Sequence, residues 1–288
     1  MHVSDNRAGS VISLYQEVLG SLYPEGEVKA IIALVFEHAL GWPAVDIALR
    51  RTEALSESDL LKVYLPLKRL RTGEPLQYVL GEIRFSGLRL RVDPRVLIPR
   101  PETEELVSRI VAHCAGRAPK RILDIGTGSG CIALALKQAF PTAEVVGADV
   151  SEDALNVART NASASGLQVS WVQADALNST FADLLGPVDL IVSNPPYVPE
   201  REASSLSSHV RDFEPHAALF VPDQDPLLFY RHIAAHAWTM LPAKGQLWFE
   251  VHHLSGGAVV PMLEAMGFPR TDIARDLSGM NRFVNAER

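Results

Sequence analysis

The most constraining feature of this chain is a glycine-rich turn between a short apolar strand pattern and an apolar helix pattern. The strand pattern occupies residues 121–125 (RILDI), the turn residues 126–130 (GTGSG), and the helix pattern begins at Cys131. Glycines in such a turn let a ligand approach the backbone N–H groups at the start of the helix. Further strand and helix patterns alternate after it, which predicts an α/β domain with a parallel sheet.

The glycine-rich turn favours S-adenosylmethionine (AdoMet) over a dinucleotide as its ligand. Its spacing is G-x-G-x-G, and Cys131 stands where the dinucleotide fingerprint G-x-G-x-x-G/A requires its last small residue. Asp124 lies immediately before the turn, where its charge would repel a pyrophosphate but suits the ammonium and sulfonium groups of AdoMet. The predicted cofactor contacts of this segment are Asp124, Ile125, Gly126, Thr127 and Gly128.

Two further strand patterns each end in an acidic residue. The first ends at Asp149, about twenty residues past the glycines, where a carboxylate accepts hydrogen bonds from ribose hydroxyls. Ser151 is predicted to cap the helix that follows. The second ends at Asp175, which either contacts the adenine amine or serves only as a turn or cap residue.

A fourth apolar strand pattern, residues 188–193, is followed by Asn194-Pro195-Pro196-Tyr197. Ligands of open α/β sheets bind outside the carboxyl ends of strands, so this segment should face the same site. The two prolines exclude helix and ladder pairing, which leaves the carbonyls of a stiff backbone free. The Asn194 side-chain oxygen and the Pro195 carbonyl can then accept hydrogen bonds from a planar NH2 group. The alternative is a proline-rich loop in which Asn194 is a turn residue.

The composition is that of a globular protein with a large core. The chain has 288 residues, of which 47% are hydrophobic, and a net charge of −7. This acidity argues against a broad, non-specific grip on nucleic acid, although a local basic patch remains open. Cys114 and Cys131 are too few for a zinc site, so we expect no metal. No apolar run could span a bilayer and residues 1–5 lack a signal-peptide pattern, so we expect a cytoplasmic protein without membrane contact.

The order of patterns along the chain predicts two domains joined by a hairpin. Residues 1–75 contain helical patterns only, and Ser56 with Asp59 marks the start of the last of these helices. We expect a β-hairpin linker over residues 76–100, with its turn near Val92-Asp93-Pro94. The α/β domain occupies residues 101–288. Its carboxyl-terminal elements are predicted as helices at 226–241 and 257–266, a strand at 246–251, and strands around Asp272 and Phe283.

The chain resembles the HemK/PrmC family, the peptide-chain release factor glutamine N5-methyltransferases, over nearly its full length. The combination of residues 98–104 (IPRPETE) with residues 194–197 (NPPY) is highly specific for this family, whereas either motif alone is not. The other matching positions are Gly73-Glu74-Pro75, Tyr78, Gly81, residues 124–130, Phe213-Glu214-Pro215, Ala218-Leu219, Tyr230-Arg231, Asp276, Gly279 and Arg282.

The resemblance implies a Rossmann-like class I AdoMet-dependent methyltransferase with a small all-helical N-terminal domain for substrate recognition and a β-hairpin bridge. The implied reaction methylates the side-chain amide nitrogen of the glutamine in the Gly-Gly-Gln motif of class I release factors. Asn194, Pro195 and Tyr197 would be catalytic, Pro196 would also contact the substrate, and Asn194 would also touch the cofactor. We expect release factors as partners, no direct binding of nucleic acid, and a monomer.

Three other functions stay open at this point. The N-P-P-Y segment would serve any planar NH2 group, so the substrate could be a base amine of RNA or DNA, or a glutamine of a ribosomal protein. A non-catalytic AdoMet-binding adaptor is a third, although the intact Asn194 and Asp149 argue against it. Arg100, Glu102 and Glu104 could close the pocket or pair with each other.

Overall fold

The computed structural model describes residues 5–254 and 256–288. The chain divides into two compact units, which are described separately. The first unit contains the residues up to Gly81 together with Ser208–Phe213, and the second contains Glu82–Ser207 and Glu214–Arg288. The helix Leu76–Leu80 therefore lies in the first unit, whereas the sequence analysis placed residues 76–100 in the linker.

The first unit is helical, as predicted, and its long helices pack around an apolar core. Tyr15 is fully buried in this core, and its hydroxyl donates to the Val63 carbonyl over 2.6 Å. The predicted helix start at Ser56 is confirmed, because its Oγ accepts from the Asp59 backbone N–H at 3.1 Å. The helices are α1 (Ala8–Leu19), α2 (Glu25–Leu40), α3 (Ala44–Leu49), α4 (Glu57–Leu70) and α5 (Leu76–Leu80).

The hairpin is present, but its predicted turn position was wrong. Strands β1 (Glu82–Phe85) and β2 (Leu88–Arg91) pair in antiparallel fashion and turn at Ser86-Gly87. Both turn residues have positive φ, 47° and 79°, as a tight two-residue hairpin turn requires. The predicted turn near Val92-Asp93-Pro94 instead follows the second strand.

A seven-stranded sheet forms the centre of the second unit within the described residues. Its strand order is β10-β11-β9-β6-β3-β4-β5; β3, β4, β5, β6 and β9 run parallel, and β11 is antiparallel to both its neighbours. This confirms the Rossmann-like α/β class and the terminal hairpin. The strands are β3 (Arg121–Ile125), β4 (Glu144–Asp149), β5 (Ser170–Gln173), β6 (Leu190–Ser193), β9 (Gln246–Glu250), β10 (Arg270–Arg275) and β11 (Asn281–Glu287).

Helices cover both faces of this sheet, which explains why its central strands read as continuous apolar runs. Two successive residues of β3, Ile122 and Leu123, belong to two separate buried clusters, one on each face of the sheet. The helices of the second unit are α6 (Pro101–His113), α7 (Cys131–Ala139), α8 (Glu152–Ser165), α9 (Phe181–Leu185), α11 (Leu228–Met240) and α12 (Gly256–Ala265); the short α10 (Ser208–Arg211) lies in the first unit.

Two elements between β6 and α11 were not predicted from the sequence. Strands β7 (Val198–Pro199) and β8 (Phe220–Val221) form a short parallel pair, and the chain between them makes two 3-10 turns and α10. Strands of two residues carry too little periodicity to be recognised in a sequence. They matter because β7 follows the N-P-P-Y segment directly and holds its carboxyl end.

Candidate active site

A cavity opens at the carboxyl ends of the parallel strands β3, β4 and β6. This is where open α/β sheets bind ligands. It brings together eight of the residues predicted from the sequence, which come from the ends of four strands, β3, β4, β5 and β6, and from the loops that follow them. Those eight lining residues are Ile125, Gly126, Gly128, Asp149, Asp175, Asn194, Pro195 and Pro196. Asp124, Thr127 and Tyr197 are not among the residues that line it.

The glycine-rich turn exposes its backbone to this cavity. Gly126 and Gly128 have φ values of 72° and 54°, a region that side chains rarely adopt. A Cβ added at either position would meet no heavy atom of the described protein within 4 Å. Both residues therefore leave an open cradle against the backbone. Gly130 differs, because a Cβ there would lie 2.8 Å from the Trp171 ring, so its role is packing.

Asp149 ends β4 at the rim of the cavity, and its carboxylate is held by two backbone donors. One oxygen accepts from the Gly128 N–H at 2.8 Å and the other from the Ser151 N–H at 2.9 Å. Ser151 in turn caps α8, as predicted. Burial raises the pKa of Asp149 above its ordinary value, and the backbone hydrogen bonds oppose that rise. Each oxygen keeps a further lone pair, so the carboxylate can accept two ligand hydroxyls.

Asp124 lies behind the turn and is fully buried. Its Oδ2 accepts from the Thr127 hydroxyl at 2.6 Å and from the Ala133 N–H at 3.1 Å. Its Oδ1 has no hydrogen-bond partner among the described residues. Burial is the main cause that raises its pKa to about 7, and the nearby Asp149 charge adds to it. Asp124 therefore braces the turn, and its contact with a cofactor stays a prediction.

Asp175 and the residues around it form the other wall. Asp175 lines the cavity, and its Oδ1 also accepts from the Leu177 N–H at 2.8 Å, so it is at least a turn residue. The apolar side chains of this wall could pack on a flat ring such as adenine. They belong to Val150, Ala176, Phe229 and Ile233.

Asn194 is oriented by a residue that the sequence analysis did not single out. Its Nδ2 donates to the Thr103 hydroxyl over 3.3 Å, and Thr103 donates to Glu250 Oε2 over 2.7 Å. Thr103 and Glu250 are both buried, and burial raises the pKa of Glu250 to about 7. The three residues lie far apart in the chain, so only the folded sheet brings them together. The sole sequence signal was that Thr103 belongs to the I-P-R-P-E-T-E motif.

Tyr197 lies beneath the loop rather than on the cavity wall. Its ring packs against the larger buried cluster and lies 5.7 Å from the His252 ring, and its hydroxyl is 3.5 Å from Glu250 Oε1. Burial raises the pKa of this phenol. A contact of Tyr197 with the substrate glutamine stays a prediction.

Two charged residues at the start of α6, Arg100 and Glu104, hold other segments of the second unit. Arg100 forms an ion pair with the buried Glu214, whose other oxygen accepts from the Ile98 N–H at 3.1 Å. Glu104 accepts from the Ser86 N–H in the hairpin turn. Arg100 thus pairs with neither Glu102 nor Glu104 among its described ion pairs, and Glu104 holds the hairpin.

The cavity fits a cationic nucleoside. Its polar side chains include the two carboxylates Asp149 and Asp175, and the glycine cradle and apolar wall lie beside them. The buried Asp124 adds a further acid behind the cradle. Within residues 5–254 and 256–288, no group of His, Cys, Asp or Glu is arranged to hold a metal ion. In the same residues, no helix is long and apolar enough to cross a membrane.

Two family models match the chain, one in each part. The model described as "Methyltransferase small domain" matches residues 102–211, and the model described as "PrmC N-terminal domain" matches residues 16–81. Among solved structures, the catalytic domain of hMettl16 in complex with the MAT2A 3'UTR hairpin 6 has a TM-score of 0.55 at 18% identity and covers 77% of this chain and 81% of that one. This likeness shows the fold alone.

Full-length relatives share more than a third of their residues with this chain. A protein from Bacteroides thetaiotaomicron named "Release factor glutamine methyltransferase" is 39% identical over 96% of this chain and 99% of its own length. A protein of the same name from Chlorobaculum tepidum is 40% identical over 89% of both chains. Another from Enterococcus faecalis is 36% identical over 92% and 95%. The chain therefore belongs to the release factor glutamine methyltransferase family.

Proposed function

We propose that this protein transfers a methyl group from AdoMet to the side-chain amide nitrogen of a glutamine in class I peptide-chain release factors. The glutamine of the Gly-Gly-Gln motif is the acceptor that the family resemblance implies. The proposal rests on the hydrogen bonding of the Asn194 side chain. Its NH2 group is engaged by Thr103, which leaves its oxygen as an acceptor at a cavity that Pro195 also lines.

The described residues would hold the cofactor along the cavity. Gly126 and Gly128 offer an open backbone cradle, Asp149 offers acceptors for ribose hydroxyls, and Asp175 offers one for an amine. When bound, AdoMet supplies a methyl group on a sulfonium, an excellent leaving group. Asp124 contributes negative charge behind the cradle when it is ionised.

The protein's own contribution is positioning and charge stabilisation. A primary amide is a poor nucleophile because its nitrogen lone pair is delocalised into the carbonyl. Asn194 Oδ1 and the Pro195 carbonyl can each accept one amide hydrogen, which orients the substrate nitrogen and favours the positive charge it gains. The two prolines fix this acceptor pair in advance, since Pro195 and Pro196 leave the backbone little freedom. Proton loss follows methyl transfer.

We assign recognition of the release factor to the helical first unit. Leu61 and Leu65 lie one turn apart on α4 and are 48% and 51% exposed, so they form an apolar strip open to a protein partner. Neither leucine is among the residues that line the cavity. The strip therefore suits contacts with the body of the substrate protein rather than with its glutamine.

Replacement of Asn194 tests the proposal. Asn194→Ala should slow single-turnover methylation of a purified release factor by roughly a hundredfold or more, because one preorganised acceptor is removed. AdoMet affinity should change less than the rate. Asn194→Asp should keep partial activity, since a carboxylate still accepts hydrogen bonds.

The control is a release factor whose Gly-Gly-Gln glutamine is replaced by another residue. Methylation of this control, or a wild-type rate in Asn194→Ala, would show that the glutamine-amide proposal is wrong. Ribosomes and adenine-containing RNA are offered in parallel reactions. Methylated product from either of them instead of the release factor would favour the corresponding alternative substrate.

A further inference from the structure

A line of buried polar groups runs from Asn194 away from the cavity, and the proposed function uses only its first contact, the one between Asn194 and Thr103. Asn194 Nδ2 contacts Thr103 Oγ1 at 3.3 Å, Thr103 Oγ1 contacts Glu250 Oε2 at 2.7 Å, and Glu250 Oε1 contacts the Tyr197 hydroxyl at 3.5 Å. Thr103 is 2% exposed and Glu250 is 1% exposed. These groups come from the loop after β6, from α6 and from the end of β9.

When Glu250 is ionised, only one direction is possible for the hydrogen bonds that link Asn194, Thr103 and Glu250. A carboxylate can only accept, so the single hydroxyl proton of Thr103 must be donated to Glu250. The Thr103 oxygen is then left as an acceptor, and only the NH2 end of the Asn194 amide can satisfy it. The opposite end of that amide, Oδ1, must therefore point away from Thr103. An asparagine side chain alone has no such preference, since its two ends are nearly equal in shape.

We propose that Thr103 and Glu250 are positioning residues that lock the Asn194 side-chain amide with its oxygen towards the methyl acceptor. This inference rests on the proposed function, in which that oxygen receives a hydrogen bond from the substrate amide. Neither residue touches the substrate in this scheme. Thr103 acts on Asn194, and Glu250 acts on Thr103.

Protonation of Glu250 would undo this lock. A protonated carboxyl can donate to the Thr103 oxygen, which frees the Thr103 proton for Asn194 and lets the amide turn its oxygen inward. Burial raises the pKa of Glu250 to about 7, so this change falls in an accessible range. The charged and titratable groups that face Glu250 are Arg100 just before α6, Glu102 in the first turn of α6, Tyr197 in the loop, Cys131 of α7, Tyr230 of α11 and Arg282 of β11.

Thr103 variants separate the lock from a general structural role. Thr103→Val keeps the shape but removes the hydroxyl, and we expect a drop of roughly tenfold or more in the single-turnover rate with little change in AdoMet affinity. Thr103→Ser restores the hydroxyl and should recover most of the rate. Ser108→Ala, which removes an exposed hydroxyl from the same helix, is the matched control. A wild-type rate in Thr103→Val, or no recovery in Thr103→Ser, would overturn the proposal.

The pH profile tests Glu250. Ionisation of Glu250, whose pKa is about 7, should by itself raise the wild-type rate about tenfold between pH 6 and pH 8. Glu250→Gln still accepts from Thr103 but cannot titrate. Because Asp124 and the cofactor are unchanged in both proteins, the ratio of wild-type to variant rate isolates Glu250. A ratio that does not vary with pH would contradict the role of this carboxylate.

A measurement without turnover keeps this proposal distinct from the proposed function. In side-chain amide NMR spectra, the Asn194 NH2 signals, identified by their loss in Asn194→Asp, should be protected from solvent exchange in wild type and not in Thr103→Val. Protection that survives Thr103→Val would refute the lock whatever the enzyme methylates. Lost protection together with an unmethylated release factor would retain the lock and reject the substrate.

Discussion

The buried carboxyl of Asp124 should make the protein less stable as the pH rises, and Asp124→Asn should remove that effect. Asp124 is fully buried, and its pKa lies at about 7 instead of 3.8. At a pH between these two values, the Asp124 carboxyl is ionised in the unfolded chain and protonated in the folded protein. The stabilising contribution is therefore complete below pH 3.8 and is lost as the pH rises through 7.

The magnitude follows from the pKa difference. A difference of about 3 units corresponds to about 4 kcal/mol over the whole range, of which about 3 kcal/mol falls between pH 5 and pH 8. An asparagine at position 124 cannot ionise, so this contribution to the pH dependence vanishes. The asparagine also places an NH2 group where Oδ1 has no described partner, which can lower the stability of the variant. This effect is the same at both pH values, so it cancels in the comparison.

Urea unfolding at pH 5 and pH 8, followed by the fluorescence of tryptophans such as Trp171 and Trp248, measures the difference. Between pH 5 and pH 8, the free energy of unfolding should fall by about 3 kcal/mol more in the wild type than in Asp124→Asn. Asp153→Asn, which changes an exposed acid of the same unit, is the matched control. Equal losses of unfolding free energy in wild type and Asp124→Asn would contradict this prediction, because Asp124 would then ionise as readily inside the protein as outside.

Three further outcomes are expected. Asp149→Ala should weaken AdoMet binding by roughly tenfold or more in calorimetry, since it removes hydrogen bonds worth about 1.5–3 kcal/mol each; unchanged affinity would place Asp149 outside the site. Gly147→Ala should lower the free energy of unfolding by about 1–3 kcal/mol, because its Cβ would lie 2.4 Å from the Trp171 ring; Gly26→Ala, in open space on α2, is the control. Leu61→Ser with Leu65→Ser should raise KM for an intact release factor but not for a short Gly-Gly-Gln peptide; an equal effect on both would contradict a recognition role.

The parts of the fold that local patterns govern could be predicted from the sequence. Residues 190–192 are all apolar because helices cover both faces of their strand. Ser56 and Ser151 cap helices through contacts three residues away. The cavity could also be predicted, because parallel strands place their carboxyl ends on one edge of the sheet. Asp149 and Asn194 meet there for this reason.

The sequence could not supply what depends on tertiary contacts. Thr103 and Glu250 are 147 positions apart, and no periodicity links a first-turn helix residue to the end of β9. Asn161 was missed for the same reason: fully buried in α8, it bonds both backbone groups of Arg91 in the hairpin and the Ser129 carbonyl in the glycine-rich turn. The hairpin turn was misplaced because Asp-Pro is the stronger turn signal in a sequence, whereas strand pairing selected Ser86-Gly87.

The buried acids Asp124 and Glu250 both lower the stability of the fold near neutral pH, where they are partly ionised. Asp124 and Glu250 each have a pKa of about 7, because burial penalises their charged forms. Neutral side chains of similar size would spare the fold this penalty. In the proposed function, however, ionised Asp124 favours a cationic cofactor, and ionised Glu250 orients the Asn194 amide through Thr103. Near neutral pH the folded protein therefore keeps these groups partly charged at a cost in stability, and a bound cation beside Asp124 would offset part of that cost by favouring its ionised form.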